Sequence, residues 1–303
     1  MTQKTTLSFS DFYIAKLTTH PGAPYLLFIH GGPGYHCGVI EHLVLHEKLF
    51  DSLRYNIIVY DQRGCGRSHN EVDNISHATN VIDLENIYGF LKSSNIPLCG
   101  IMAHSYGSKL LFDFYQKTNV QIPGVFISCA KSILTPRINN LILDLAYLKR
   151  TNSALYKEKY DEMHDLNLSR LWSLTEALDP LFRQNDERPS LYWANLDYME
   201  KVTHILQQLK IPINETVFSS VRKELYSREQ NFSVDIESLS IPFLKINGFH
   251  DVITHGGDIS FSQNASLTLF YQSSHYPHLE ESELFCETVN AFLESIDIKS
   301  PEL

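Results

Sequence analysis

The segment Ile96-Pro97-Leu98-Cys99-Gly100-Ile101-Met102 leads straight into Ala103-His104-Ser105-Tyr106-Gly107 and then Lys109-Leu110-Leu111-Phe112-Asp113-Phe114-Tyr115. An apolar run, a tight turn and an amphipathic run in immediate succession predict a buried strand that breaks into a helix. The serine at the apex is then forced into a strained backbone conformation. Small residues two positions to either side, Ala103 and Gly107, let strand and helix approach closely. The helix N-terminus would lie under Ser105 and favour negative charge there. Such a turn needs a mostly parallel sheet around it.

The first 130 residues supply that context. Tyr25–Ile29, Tyr55–Tyr60 and Val125–Ser128 read as further apolar strands, and Thr6–Leu17 as a hairpin arm. Val81, Leu84, Ile87, Tyr88 and Leu91 recur at helical spacing. Strands this apolar are covered by helices on both faces. From about Ser132 to Val234 the pattern turns helical, with apolar positions around Ile138–Leu145, Leu171–Leu178, Leu191–Leu209 and Thr216–Leu225. Strands resume at Ile241–Ile246 and Ser266–Tyr271, and a helix with Leu284, Phe285, Val289, Phe292 and Leu293 closes the chain. The expected class is α/β: a mostly parallel central sheet flanked by helices, with an inserted all-helical cap. The division is 1–131 and 235–303 for the two parts of the core, and 132–234 for the cap. The cap is expected to roof the carboxyl ends of the strands, where open sheets bind ligands.

Composition narrows the function classes. With 35 acidic against 25 basic residues, a formal charge of −10 and no Lys/Arg cluster, a nucleic-acid surface is not expected. No apolar run reaches membrane-spanning length. Met1–Thr6 leads into no signal-peptide core, and the five scattered cysteines show neither metal spacing nor a disulfide framework. The expectation is a cytoplasmic protein with reduced thiols, no metal and no organic cofactor.

A serine hydroxyl needs a base within hydrogen-bond reach, itself oriented by an acid. In a strand–turn–helix elbow the chain order is Ser…Asp…His. Asp251, in Asn247-Gly248-Phe249-His250-Asp251 just past a strand end, is the expected acid, with Asp258 as rival. His275, directly after the last strand, is the expected base; His278, behind Pro277, suits packing or capping better. His30-Gly31-Gly32-Pro33-Gly34 also ends a strand, and its glycines free backbone N–H groups for an oxyanion. The expected donors are the amides of Gly32 and Tyr106. Asp61-Gln62-Arg63-Gly64-Cys65-Gly66-Arg67-Ser68 reads as a loop tied together by charge-assisted hydrogen bonds rather than as catalytic machinery.

These five motifs, in this order, resemble the α/β-hydrolase superfamily. The pairing of His30–Gly34 with Asp61–Ser68 is most similar to its proline iminopeptidase branch. The resemblance implies a serine hydrolase releasing an N-terminal proline from small peptides, with acidic residues of the cap holding the free amine. Trp193-Ala194-Asn195-Leu196-Asp197-Tyr198 resembles the branch segment that supplies such a carboxylate, with Asp where Glu is usual, so Asp197, then Glu200 and Glu224, are the implied substrate-binding acids. The elbow departs from the branch, reading Ala-His-Ser-Tyr-Gly where Gly-Gly-Ser-Trp-Gly is usual. Ser274 likewise replaces a glycine before the base. A carboxylesterase or amidase on small acyl substrates is therefore the alternative, and a non-catalytic ligand-binding protein on the same scaffold a further one.

Overall fold

In the computed structural model, described for residues 2–68, 74–162, 167–183, 187–227, 233–254 and 265–296, the apolar runs become strands where expected. They are β1 Gln3–Phe9, β2 Phe12–Thr18, β3 Tyr25–Ile29, β4 Asn56–Tyr60, β5 Leu98–His104, β6 Gly124–Ile127, β7 Phe243–Gly248 and β8 Ala265–Phe270. Among the described residues they form one sheet in the order β1-β2-β4-β3-β5-β6-β7-β8. The Thr6–Leu17 arm is two strands, turning at Ser10-Asp11 into an antiparallel hairpin whose β2 pairs antiparallel with β4. From β4 to β8 every pairing is parallel. The carboxyl ends of β3 to β8 therefore share one rim.

Period-two alternation decides which face each side chain joins. In β3, Leu26 and Phe28 pack with α1 (Gly38–His46) and α11 (Ser282–Ser295). Leu27 and Ile29 pack instead with α2 (His77–Ser93) and α3 (Tyr106–Lys117). Helix α2 starts at a capping box, Ser76 and Thr79 exchanging side-chain-to-backbone bonds at 3.0 Å. The five cysteines are free and buried, and no described helix is long and apolar enough to cross a membrane.

Between β6 and β7 lie α4 Leu134–Thr151, α5 Ser153–Asp161, α6 Leu168–Arg183, α7 Glu187–Ser190, α8 Leu196–Leu209 and α9 Glu215–Ser227. The entry and exit of this stretch are side by side, with a bridge between Ser132 and Ser233 and a Val234 N–H donated to the Lys131 carbonyl at 2.9 Å. Among the described residues, α4 and α6 build a cluster of their own from Leu141, Leu145, Leu148, Leu171, Leu174 and Leu178. Helix α8 packs Val202 and Ile205 into the core beside α1, and α9 packs Val217, Val221 and Leu225 against Cys65, Ile75 and Tyr106. The helix expected over Leu191–Leu209 begins only at Leu196, capped by the Asn195 side chain. Residues 191–195 are held elsewhere: the amides of Ala194 and Asn195 both donate to Glu280, at 2.7 and 2.8 Å. A short helix, α10 Pro277–Glu280, precedes α11.

Candidate active site

Ser105 stands between β5 and α3 with φ 54° and ψ −118°, a conformation side-chain-bearing residues rarely adopt. Its amide is fixed by the Ile127 carbonyl of the next strand at 2.9 Å. The need for a small residue at Gly107 is direct: a Cβ there would stand 2.7 Å from the Ile29 carbonyl oxygen and 2.8 Å from that of His30. The elbow is thus wedged against the end of β3.

Ser105 Oγ lies 3.0 Å from His275 Nε2, and His275 Nδ1 donates to Asp251 Oδ2 at 3.0 Å. A carboxylate only accepts, so the proton sits on Nδ1 and Nε2 is free to take one from the serine. Asp251 and His275 are buried, 1% and 3% exposed, which strengthens their interaction relative to water. Asp251 also accepts from the amides of Ile253 and Thr254, both at 3.0 Å, and from the Thr254 hydroxyl. Burial alone pushes its carboxyl up; His275 and the Thr254 donors outweigh this and hold it below the ordinary carboxylate value. Asp258 lies outside the described residues. His278 is buried against His104, the two rings 4.7 Å apart, and borders the same cavity.

The His30–Gly34 loop borders the same space. A Cβ on Gly31 would come within 3.2 Å of Ser105 Cβ, so only glycine lets the loop pass so near the serine. The Gly32–Pro33 peptide is cis. His30 Nδ1 donates to the Gly31 carbonyl at 2.7 Å while Nε2 accepts the Gln62 amide at 3.1 Å, and burial lowers its pKa to about 4. Tyr106, the first residue of α3, presents its amide at the helix N-terminus beside Ser105. The 61–68 loop is a scaffold. Asp61 accepts from the Cys37 amide at 2.8 Å and from the Arg67 amide and Nε at 2.9 Å, and Arg63 forks onto Asp83 at 2.6 and 2.7 Å.

A cavity of about 600 Å³ opens over Ser105 and His275, roofed by α4, α6, α8 and α9. The three implied amine-binding acids do not line it. Asp197 and Glu200 are exposed on α8, which turns Met199, Val202 and Leu206 toward the cavity instead. Glu224 accepts the His77 amide at the start of α2, joining α9 to the core. The charged side chains at the cavity wall are instead Lys109, Arg137, Asp144 and Arg222 among the described residues.

A second polar chain escaped sequence reasoning. Tyr106 donates its hydroxyl to His77 Nδ1 at 3.1 Å, His77 Nε2 donates to Asp113 at 2.6 Å, and Asn80 donates to the Tyr106 oxygen at 3.0 Å. Its members come from α2 and α3 at helical positions that look like ordinary surface residues; only their spacing along two packed helices could have paired them.

Comparison with known proteins agrees with this fold. Residues 24–159 match the α/β hydrolase fold family. A proline iminopeptidase from Saccharolobus solfataricus is 22% identical over 286 residues, covering 89% of this chain and 85% of that protein. Among solved structures, a proline iminopeptidase-related protein from Thermus thermophilus superposes with a TM-score of 0.66 at 16% identity, covering 100% of both chains. An esterase from Exiguobacterium antarcticum gives 0.58 at 14% identity, covering 96% of this chain and 100% of that one. The fold is that of the α/β-hydrolases. Among proteins that share it, the chain is similar in sequence to the Saccharolobus proline iminopeptidase and in fold to the Thermus protein.

Proposed function

We propose that the protein is a serine hydrolase working by acyl transfer on small esters or amides. The observation that carries this reading is the unbroken relay from Ser105 Oγ through His275 to Asp251, two contacts of 3.0 Å at the floor of a cavity. His275 Nε2 takes the hydroxyl proton as Ser105 attacks the carbonyl carbon. Asp251 holds the tautomer and stabilises the imidazolium. The amides of Gly32 and Tyr106 receive the oxyanion, where one donor is typically worth about 10²–10³ in turnover. His275 then protonates the leaving group, and water activated by the same nitrogen releases the acid. Residues 132–234 act as the roof under which this occurs, with residues 1–131 and 235–303 forming the core. The setting is cytoplasmic, and the chemistry calls on no metal or organic cofactor.

A second reading, release of N-terminal proline from peptides, is favoured by the likeness to the Saccharolobus proline iminopeptidase. It ranks second because Asp197, Glu200 and Glu224 lie away from the cavity wall. A fluorophosphonate probe followed by rate measurements on p-nitrophenyl butanoate and proline p-nitroanilide separates the readings. Labelling at Ser105 with faster ester turnover is expected. Faster anilide turnover would install the peptidase, and a folded chain that fails to label would leave a ligand-binding protein.

A further inference from the structure

The cavity wall is chemically divided. On one side stand Val39 and Ile40 of α1, Met199, Val202 and Leu206 of α8, and Trp193. Helices α1 and α8 are described in full, and they contribute no charged side chain to the lining. Their polar contribution, Thr203, spends its hydroxyl on the Met199 carbonyl of its own helix at 2.8 Å. The other side carries Arg137 and Asp144 of α4, Arg222 of α9 and, on α3, Lys109. The apolar side is continuous with the base: the Trp193 ring stacks on Tyr276 at 4.1 Å, and the His275 amide donates to the Tyr192 carbonyl at 3.0 Å.

An ammonium group laid on the α1–α8 wall would lose its water and find no carboxylate there, a costly exchange. A hydrocarbon group laid on the same wall loses nothing and removes apolar surface from water. We infer that the α1–α8 wall binds an uncharged hydrocarbon acyl group, so that the substrates are esters or amides of apolar carboxylic acids. This rests on the serine-hydrolase reading above and narrows it. In the acyl-enzyme, the Ser105 ester would place the carbonyl at the floor and the acyl tail along α8.

The test is a chain-length series of p-nitrophenyl acetate, butanoate, hexanoate and octanoate, run on the native protein and on Leu206→Trp and Met199→Trp, which fill the wall from two positions. In the native protein kcat/KM is expected to rise about three- to fourfold per added methylene until the wall is covered. In either variant the octanoate-to-butanoate ratio is expected to fall at least about tenfold, because a filled wall removes two or more methylenes from burial. Circular dichroism and fluorophosphonate labelling of Ser105 accompany each protein. A flat chain-length profile with labelling intact overturns the acyl wall and spares the serine hydrolase; so does faster turnover of proline p-nitroanilide than of every ester. Absence of labelling in the folded native chain overturns both.

Discussion

His104, the residue before the serine, donates its Nε2–H to the backbone carbonyl of His275 across 2.8 Å. One side chain thus spans from the elbow to the loop that carries His275. Burial, with His278 and His275 as neighbours, holds His104 well below the ordinary imidazole value, so it stays neutral and keeps that donor. Its ring also lies 4.9 Å from that of His275 and 5.0 Å from that of Tyr276. His104→Phe, which keeps the ring and removes the donor, is expected to lower kcat about ten- to a hundredfold, as a lost buried hydrogen bond would. KM should move little, and His104→Gln, which can still donate, should recover part of the loss. Steady-state kinetics on p-nitrophenyl butanoate read all three values.

His275 and His278 should respond differently to truncation. His275→Ala removes the relay and should cost at least about 10³ in kcat. His278→Ala opens a hole among Phe28, His104 and Phe285 and should instead lower the unfolding midpoint. Paired kinetics and thermal melts distinguish the two; equal losses of kcat would move the base.

Acid should destabilise the fold well before it protonates the carboxylates. Burial lowers His30 to about 4 and His278 to about 3, and lowers His104 as well. Since each folded value lies below the unfolded one, the unfolded chain takes up protons first as pH falls beneath about 6.5. Stability is then full above that pH and falls by up to about 1.4 kcal/mol per pH unit for each imidazole until its folded value is reached. Asp61 acts lower. Burial alone would raise it, but Arg67 and Cys37 bring it to about 2, so its contribution holds above the ordinary carboxylate value and is lost between there and about 2. Urea unfolding at pH 7.5, 6 and 5 should show the steep first slope, and His278→Phe should flatten it.

Charge removal on α8 should be silent. Asp197→Ala and Glu200→Ala change exposed carboxylates and should leave KM for proline p-nitroanilide within about twofold, since surface charges interact weakly. A several-fold rise confined to substrates with a free amine would bring those acids back into the site.

The tightest backbone constraint lies under the serine. Gly107→Ala would drive a methyl group to 2.7 Å from the Ile29 oxygen, forcing β3 and α3 apart. A loss of about 2 kcal/mol or more is expected, as for overpacking a core. Chemical denaturation reads it directly.

Some of this was legible from the chain and some was not. Apolar runs placed β3 to β8 to within a few residues, because burial on both faces leaves little freedom, whereas the Thr6–Leu17 arm read as one segment is the two strands β1 and β2. Ser105, Asp251 and His275 were chosen by position after strand ends, and the shared rim of a parallel sheet brings such positions together. The acids of the cap were harder. Helix α8 faces the cavity with Met199, Val202 and Leu206 and the solvent with Asp197 and Glu200, and the segment before it is held by Glu280 through Ala194 and Asn195, contacts that cross 86 and 85 residues of sequence. The bond from His104 to His275 spans 171 residues, and the chain signals it only as an unusual residue before the serine.

The grip of Glu280 has one more implication. Its other oxygen takes the Ser274 amide at 2.8 Å, and Ser274 Oγ reaches the Leu191 carbonyl at 3.3 Å, so residues 191–195 and the histidine loop are stitched into one piece. Residues 191–195 and the loop that carries His275 therefore cannot be displaced separately. Loss of the Glu280 carboxylate is therefore expected to loosen residues 191–195 and the His275 loop together.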